Sequence, residues 1–137
     1  MQLSHTCYPN LDRVGVIFLD VDNLKKINDE HGHDMGDRLI QKAADVLLSV
    51  SGEKIHPYRM GGDEFLLVCC GCERREVPEL LDRVTEGLNT SNELIPMPQL
   101  SISAGWAHAV QPFRLEALVT QADEMMYAVK RAKKAAR

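Results

Sequence analysis

The sequence contains no apolar run approaching the ~20 residues of a membrane span, and its first residues lack the basic-then-apolar pattern of a signal peptide. A soluble, cytoplasmic protein with no membrane span is the expectation. Basic excess is missing too: 16 Lys and Arg stand against 20 Asp and Glu, a net charge of −4, with a pI near 5.7. Bulk attraction to nucleic acid or to an anionic membrane is thereby excluded, so a phosphate-bearing partner must be held locally. Repeats, low-complexity tracts and interdomain linkers are absent, and 137 residues suffice for one domain with a real core but not comfortably for two. Cysteine is limited to Cys7, Cys69, Cys70 and Cys72. The C-x-x-C spacing of Cys69 and Cys72 fits a redox pair or half a zinc site, yet only Cys7 and scattered histidines remain as further ligands. Free cysteines ending a buried strand, acting as small hydrophobes, are the preferred reading.

What is present reads as an alternation of strands and helices. "VGVIFL" (14–19) is a short β-branched run of the kind buried on both faces, and it stops abruptly in "DVD". "DNLKKINDEHGHD" (22–34) is polar, with room for a single helical turn. From Gly36 to Val50, Leu39, Ile40, Ala43, Val46, Leu47 and Val50 recur at three-and-four spacing, an amphipathic helix closed by Ser51-Gly52. "KIHPYRM" and "EFLLVCC" flank Gly61-Gly62 as the two strands of a hairpin. Pro78 suits the first turn of a second helix carrying Leu80, Leu81, Val84 and Leu88, followed by the loop "TSNELIPMP". Leu100, Ile102, Ala104 and Trp106 then alternate with Ser101, Ser103 and Gly105, predicting a half-buried strand. A last helix from about Arg114 to Lys134 ends in a basic tail. The order predicts an α+β fold, the ferredoxin-like βαββαβ arrangement with an added C-terminal helix.

In that arrangement Asp20, ending the first strand, approaches Asp63 in the hairpin loop. Two unneutralised carboxylates at such range repel, and a divalent cation removes the penalty. Magnesium suits the position, because it accepts a few protein oxygens and completes its shell with water and phosphate. Either "GGDE" or "DVD" alone reads as a solvated turn; their coincidence at neighbouring strand ends, in a topology used by nucleotidyl-transferring palm domains, is the informative part. A helical turn starting near Asp22 or Asn23 would point free backbone N–H groups at phosphates. Lys25, Lys130 and Lys134 would add local positive charge, although each alone is an ordinary surface lysine. Asn28 can both donate and accept. Asp37 can accept from adjacent guanine N–H groups or simply serve as a first-turn helix acid, and spacing does not choose between these.

The run "DVDNLKKINDEHGHDMGD" (20–37), then "RMGGDEF" (59–65), "LSISAGWA" (100–107) and "ADEMMYAVK" (122–130), resembles the GGDEF domain of the diguanylate cyclase family over about residues 14 to 134. The resemblance implies condensation of two GTP molecules into cyclic di-GMP with release of pyrophosphate, each protomer of an antiparallel homodimer holding one GTP. By position it implies Asp20, the Val21 carbonyl and Asp63 as ligands of Mg2+ (or Mn2+), with Asp63 also assisting the 3′-hydroxyl and Glu64 supporting it. Gly61 and Gly62 would admit the nucleotide to the hairpin backbone. Asn28 and Asp37 match guanine readers, His33 a nucleotide-contacting histidine, and Lys25 and Lys130 phosphate contacts.

Three departures stand out. The family's inhibitory product site uses an R-x-x-D motif whose positions are here Gly52 and Ile55, so no such site is expected. The family's N-terminal turn and helix read as reduced to "TCYPNLDR" (6–13), a shortened segment 1–13 leading into the domain at 14–137. The family's G-R-N after the last helix's lysine is here Lys133, Lys134 and Ala135, which keeps a charge but loses the bidentate fork. The leading function is a diguanylate cyclase driven by an upstream sensor or dimerisation domain. The alternatives are a catalytically silent GTP-binding regulatory module and a purely structural dimerisation domain.

Overall fold

A computed structural model describes residues 11 to 136. Its elements are β1 (Arg13–Val21), α1 (Leu24–His31), α2 (His33–Val50), β2 (Ile55–Arg59), β3 (Glu64–Cys70), α3 (Glu76–Leu94), β4 (Ile102–Val110) and α4 (Leu115–Ala135). The strands form one antiparallel sheet in the order β2-β3-β1-β4, as the ferredoxin-like reading predicts. β1 is central and buried on both faces from Val14 onward, which is why its sequence is a continuous apolar run and not an alternation. Pro57 falls on the outer strand β2, where a missing N–H is tolerated.

Each face of the sheet has its own core. On one, Ile17, Leu19, Phe65 and Leu67 meet Leu39, Ala43, Val46 and Leu47 of α2 and Val77, Leu80 and Val84 of α3. On the other, Val14, Val16, Phe18, Leu66 and Val68 meet Leu115, Leu118, Ala122 and Met126 of α4. Buried Lys42 completes the first side by donating to Asn92 Oδ1 (2.9 Å) and to the carbonyls of Ile95 (2.6 Å) and Pro98 (2.7 Å), satisfying the chain where α3 ends.

Several elements depart from the sequence reading. The single turn expected within 22–34 is an eight-residue helix, α1, with no buried residue; having no apolar stripe of its own beyond Leu24 and Ile27, it gave little periodic signal. α2 starts at His33, three residues early, and α3 runs to Leu94 through half of the expected loop. β4 spans 102–110, and its more buried side is Ser103, Gly105 and Ala107, with Ile102, Ala104 and Trp106 only half-buried against the first core. The reason is close helix approach: a β-carbon on Gly105 would run into the α4 backbone at Ala122 and Met126. The shortened N-terminal segment lies mostly outside the described residues; within them, Asp12 and Leu11 are held by Gln111 and lead directly into β1.

Candidate functional site

The site lies where β1 ends beside the β2–β3 hairpin and α4 passes overhead. Register sets Asp20 opposite Glu64 on one side and opposite Ser103 on the other. Past the ladder, Val21 N–H donates to the Asp63 carbonyl (2.8 Å) and Asp22 N–H to the Ser101 carbonyl (2.9 Å), so both acids of "DVD" are fixed through backbone bonds. The hairpin is closed by Met60 N–H on the Glu64 carbonyl (2.8 Å). Arg59 braces it with Nε on the Gly61 carbonyl (3.1 Å) and Nη2 on the Gly62 carbonyl (2.6 Å).

Asp20 and Asp63 come together as expected. Asp20 Oδ2 accepts from Lys130 Nζ at 2.6 Å, while Oδ1 is buried without a donor. Burial, only partly offset by Lys130 and reinforced by Asp63, pushes the Asp20 carboxyl up to about 6. Glu64 is raised for the same first reason, burial, with Asp63 and Asp123 adding repulsion. Lys130 is raised in turn: burial opposes its charge, but Asp20, Asp22 and Asp63 outweigh that. An orphaned carboxylate oxygen beside a second carboxylate fits a small hard cation. Among the described residues no three His, Cys, Asp or Glu side chains gather as a metal-holding group, so the remaining ligands would be carbonyls, water and phosphate, as magnesium prefers.

Asp22 behaves differently. Ser101 Oγ and Lys133 Nζ donate to its Oδ2 and Ser103 Oγ to its Oδ1, each at 2.8 Å. Burial alone would raise its carboxyl; these donors, Lys133 foremost, hold it below the ordinary value. Sequence reasoning gave Asp22 only a place at a helix start and assigned no role to Ser101, Ser103, Lys133 or Arg59. A signal was available in "SIS", whose two serines, Ser103 buried and Ser101 half-buried, alternate with apolar residues where β4 begins.

A cleft of about 560 Å³ opens from this point, lined by Val21 to Lys26, Asp29, Glu30, Asp63, Lys130, Lys133 and Lys134. The start of α1 therefore faces the acids. Asn23, in the left-handed conformation (φ 65°), supplies the sharp entry into that helix. Lys25, Lys130 and Lys134 all reach the cleft as expected. Asn28, His33 and Asp37 lie outside its lining. Asn28 Oδ1 is buried and unpartnered, tucked against Gly36, where a β-carbon would strike it; His33 and Asp37 are exposed at the start of α2. Neither hairpin glycine has positive φ. Gly62 leaves open space, and a β-carbon on Gly61 would meet Glu64 Oε1 at 2.8 Å. Gly52 and Ile55, at the positions of the family's product-binding motif, form only a Gly52 N–H to Ile55 carbonyl bond (3.0 Å). Cys69, Cys70 and Cys72 form no disulfide among the described residues, and the first and last are buried; a hydrogen bond between Cys69 and Cys72 lowers the pKa of the former and raises that of the latter.

A palm-type α+β sheet ending in paired acids beside a lysine-lined cleft is the class of domain defined here. More narrowly, the chain belongs to the GGDEF-domain family, described as "Diguanylate cyclase, GGDEF domain", whose profile matches residues 2–136. It is 33% identical over 117 residues to diguanylate cyclase DgcS of Shewanella oneidensis, covering 85% of this chain and 39% of that protein. To diguanylate cyclase DgcN of Escherichia coli it is 35% identical over 118 residues, covering 84% of this chain and 29% of that protein. It thus spans well under half the length of these relatives. The crystal structure of diguanylate cyclase SiaD of Pseudomonas aeruginosa, in complex with its activator SiaC, superimposes with a TM-score of 0.79 at 28% identity, covering 88% of this chain and 47% of that one. No helix among the described residues is long and apolar enough to cross a membrane.

Proposed function

We propose that the chain is a catalytic GGDEF domain that converts two GTP molecules to cyclic di-GMP and two pyrophosphates as a transient homodimer. The observation that carries this reading is the orphaned Asp20 Oδ1 beside Asp63, at the mouth of a cleft walled by lysines and a helix start. Asp20, the Val21 carbonyl and Asp63 would hold Mg2+ or Mn2+, with Glu64 supporting from the adjacent strand position. Bound there, the cation supplies charge neutralisation of the phosphates and activation of the attacking oxygen.

The chain's own groups do the rest. The N-terminal N–H groups of α1, with Lys25, Lys130 and Lys134, receive the phosphates; Asn28, His33 and Asp37 are the residues proposed to meet the nucleoside. In each half of the reaction a bond forms between a 3′-oxygen and the other nucleotide's α-phosphorus. The bond from that phosphorus to the β-phosphate bridge breaks, and pyrophosphate leaves. The 3′-hydroxyl proton passes to the Asp63 carboxylate. Positioning two nucleotides across the dimer supplies most of the acceleration. With Gly52 and Ile55 replacing the product-binding pair, turnover is expected to escape feedback inhibition by that route.

The test is cyclic di-GMP formation from GTP and magnesium, read by mass spectrometry over a wide range of protein concentration. Specific activity should rise with concentration, and Asp63→Ala should lower it by a factor on the order of 10³. Absence of product even with a fused coiled coil, alongside magnesium-dependent GTP binding, would replace the enzyme with a silent regulatory module.

A further inference from the structure

Two lysine–aspartate pairs tie α4 to the end of β1, and they are built differently. Asp22 has a donor on each carboxylate oxygen, and Lys133 also donates to the Ile102 carbonyl at 2.8 Å. Displacing Lys133 would take the paired cation from a carboxylate that is only 6% exposed, leaving it two serine hydroxyls, and would remove a donor from the Ile102 carbonyl, so this pair is fixed. Asp20 has one donor, Lys130, and one bare oxygen. The Lys130 side chain, 22% exposed, lines the cleft, and its ammonium already neutralises the carboxylate that would help hold a divalent cation. Two cations on one carboxylate repel each other at that range.

We propose that Lys130 is the resident counter-ion of Asp20 in the nucleotide-free protein and exchanges partners on substrate binding, leaving Asp20 to the metal and moving to the nucleotide's phosphates. The inference rests on the GTP-binding reading above and deepens it. Lys133, one turn further along α4, keeps the helix anchored while the Lys130 head swings on its flexible stem. Lys130 then has opposite effects on two ligands: it weakens binding of the cation alone and strengthens binding of the nucleotide. The protein therefore holds metal poorly until a triphosphate offers Lys130 another partner, a positive coupling between the two ligands.

The experiment is Mn2+ titration of the full nucleotide-free chain followed by electron paramagnetic resonance, for wild type, Lys130→Met and Lys134→Met. Lys130→Met is expected to bind Mn2+ about tenfold more tightly, the scale of one close charge in a partly desolvated site, and Lys134→Met to change it by no more than about twofold. The same Lys130→Met protein should bind a GTP analogue with a non-hydrolysable α–β linkage more weakly. Unchanged or weaker Mn2+ binding by Lys130→Met, or equal tightening by Lys134→Met, overturns the exchange. Should Lys130→Met not fold, the wild type supplies the answer: saturating Mg2+ without nucleotide should shift the Lys130 ammonium nitrogen resonance and leave that of Lys133 in place. An unmoved Lys130 signal overturns the proposal. Neither readout needs turnover, so a missing cyclic product would sink the enzymatic reading alone, and unchanged metal binding in an active enzyme would sink only the exchange.

Discussion

Asp20 has an unfavourable position in the metal-free fold, and that has a measurable sign. Its carboxyl titrates near 6 in the folded chain, against an ordinary 3.8, so the folded state holds the proton more tightly than the unfolded chain. Stability therefore falls as pH rises through that interval and stays reduced above it. Asp20→Asn should stabilise the protein by about 1–2 kcal/mol in chelator at neutral pH, with the gain vanishing below the ordinary aspartate range, while removing turnover. Thermal melts at both ends of the interval check this. Gly36 offers a second residue-scale test. Gly36→Ala places a β-carbon against the Asn28 amide, a flexible neighbour that can yield, so the melting temperature should change little while KM for GTP rises about tenfold, if Asn28 reads the base. The approach of Asp20 to Asp63 and the placement of Lys25, Lys130 and Lys134 at the cleft were legible because each is a charged side chain at a strand end or in a polar stretch. Asp22, Ser101, Ser103 and Lys133 were not: their importance comes from satisfying one another across 79 to 111 residues of sequence, and separation of that kind leaves no local pattern.

Among elements, α4 carries the heaviest load. It covers one face of the sheet through Leu115, Leu118, Ala122 and Met126 and delivers Lys130 and Lys133 to the acids. Gly105 is what lets it sit so close to β4. Gly105→Ala forces α4 away from the sheet and should cost about 1–3 kcal/mol; the same variant should lose nucleotide affinity, since the lysines move with the helix. Denaturant titration and nucleotide binding on one preparation test both halves. Strands β1 and β3 were readable as apolar runs, and α2 and α4 as helical stripes. The apolar side of β4 was legible, and Leu100, Ile102, Ala104 and Trp106 do pack against the first core; the burial of its small-residue side was not, because residue hydrophobicity says which side is apolar but not how closely a helix will approach. α1 escaped periodicity because Leu24 and Ile27 are its apolar contacts with the core, while Lys25, Lys26, Asp29 and Glu30 face the cleft.

At the scale of the whole molecule, the acids, hairpin and lysines gather at one end of the sheet, so the proposed reaction would require a second copy to meet that end. Activity per protomer should accordingly climb with concentration and level off as dimer saturates, which dilution series and sedimentation run side by side would show. The two separate cores add something else. One is packed by helices from two parts of the chain, whereas the other relies on α4 among the described residues. A lineage drifting in sequence can therefore repair losses in the first core by compensating changes on either α2 or α3, but any loosening of α4 is felt at once in folding and in phosphate handling. Natural variation should thus be freest on α3 and narrowest along the inner stripe of α4, and a misfolded copy of this domain is silenced by the same event that exposes it to degradation.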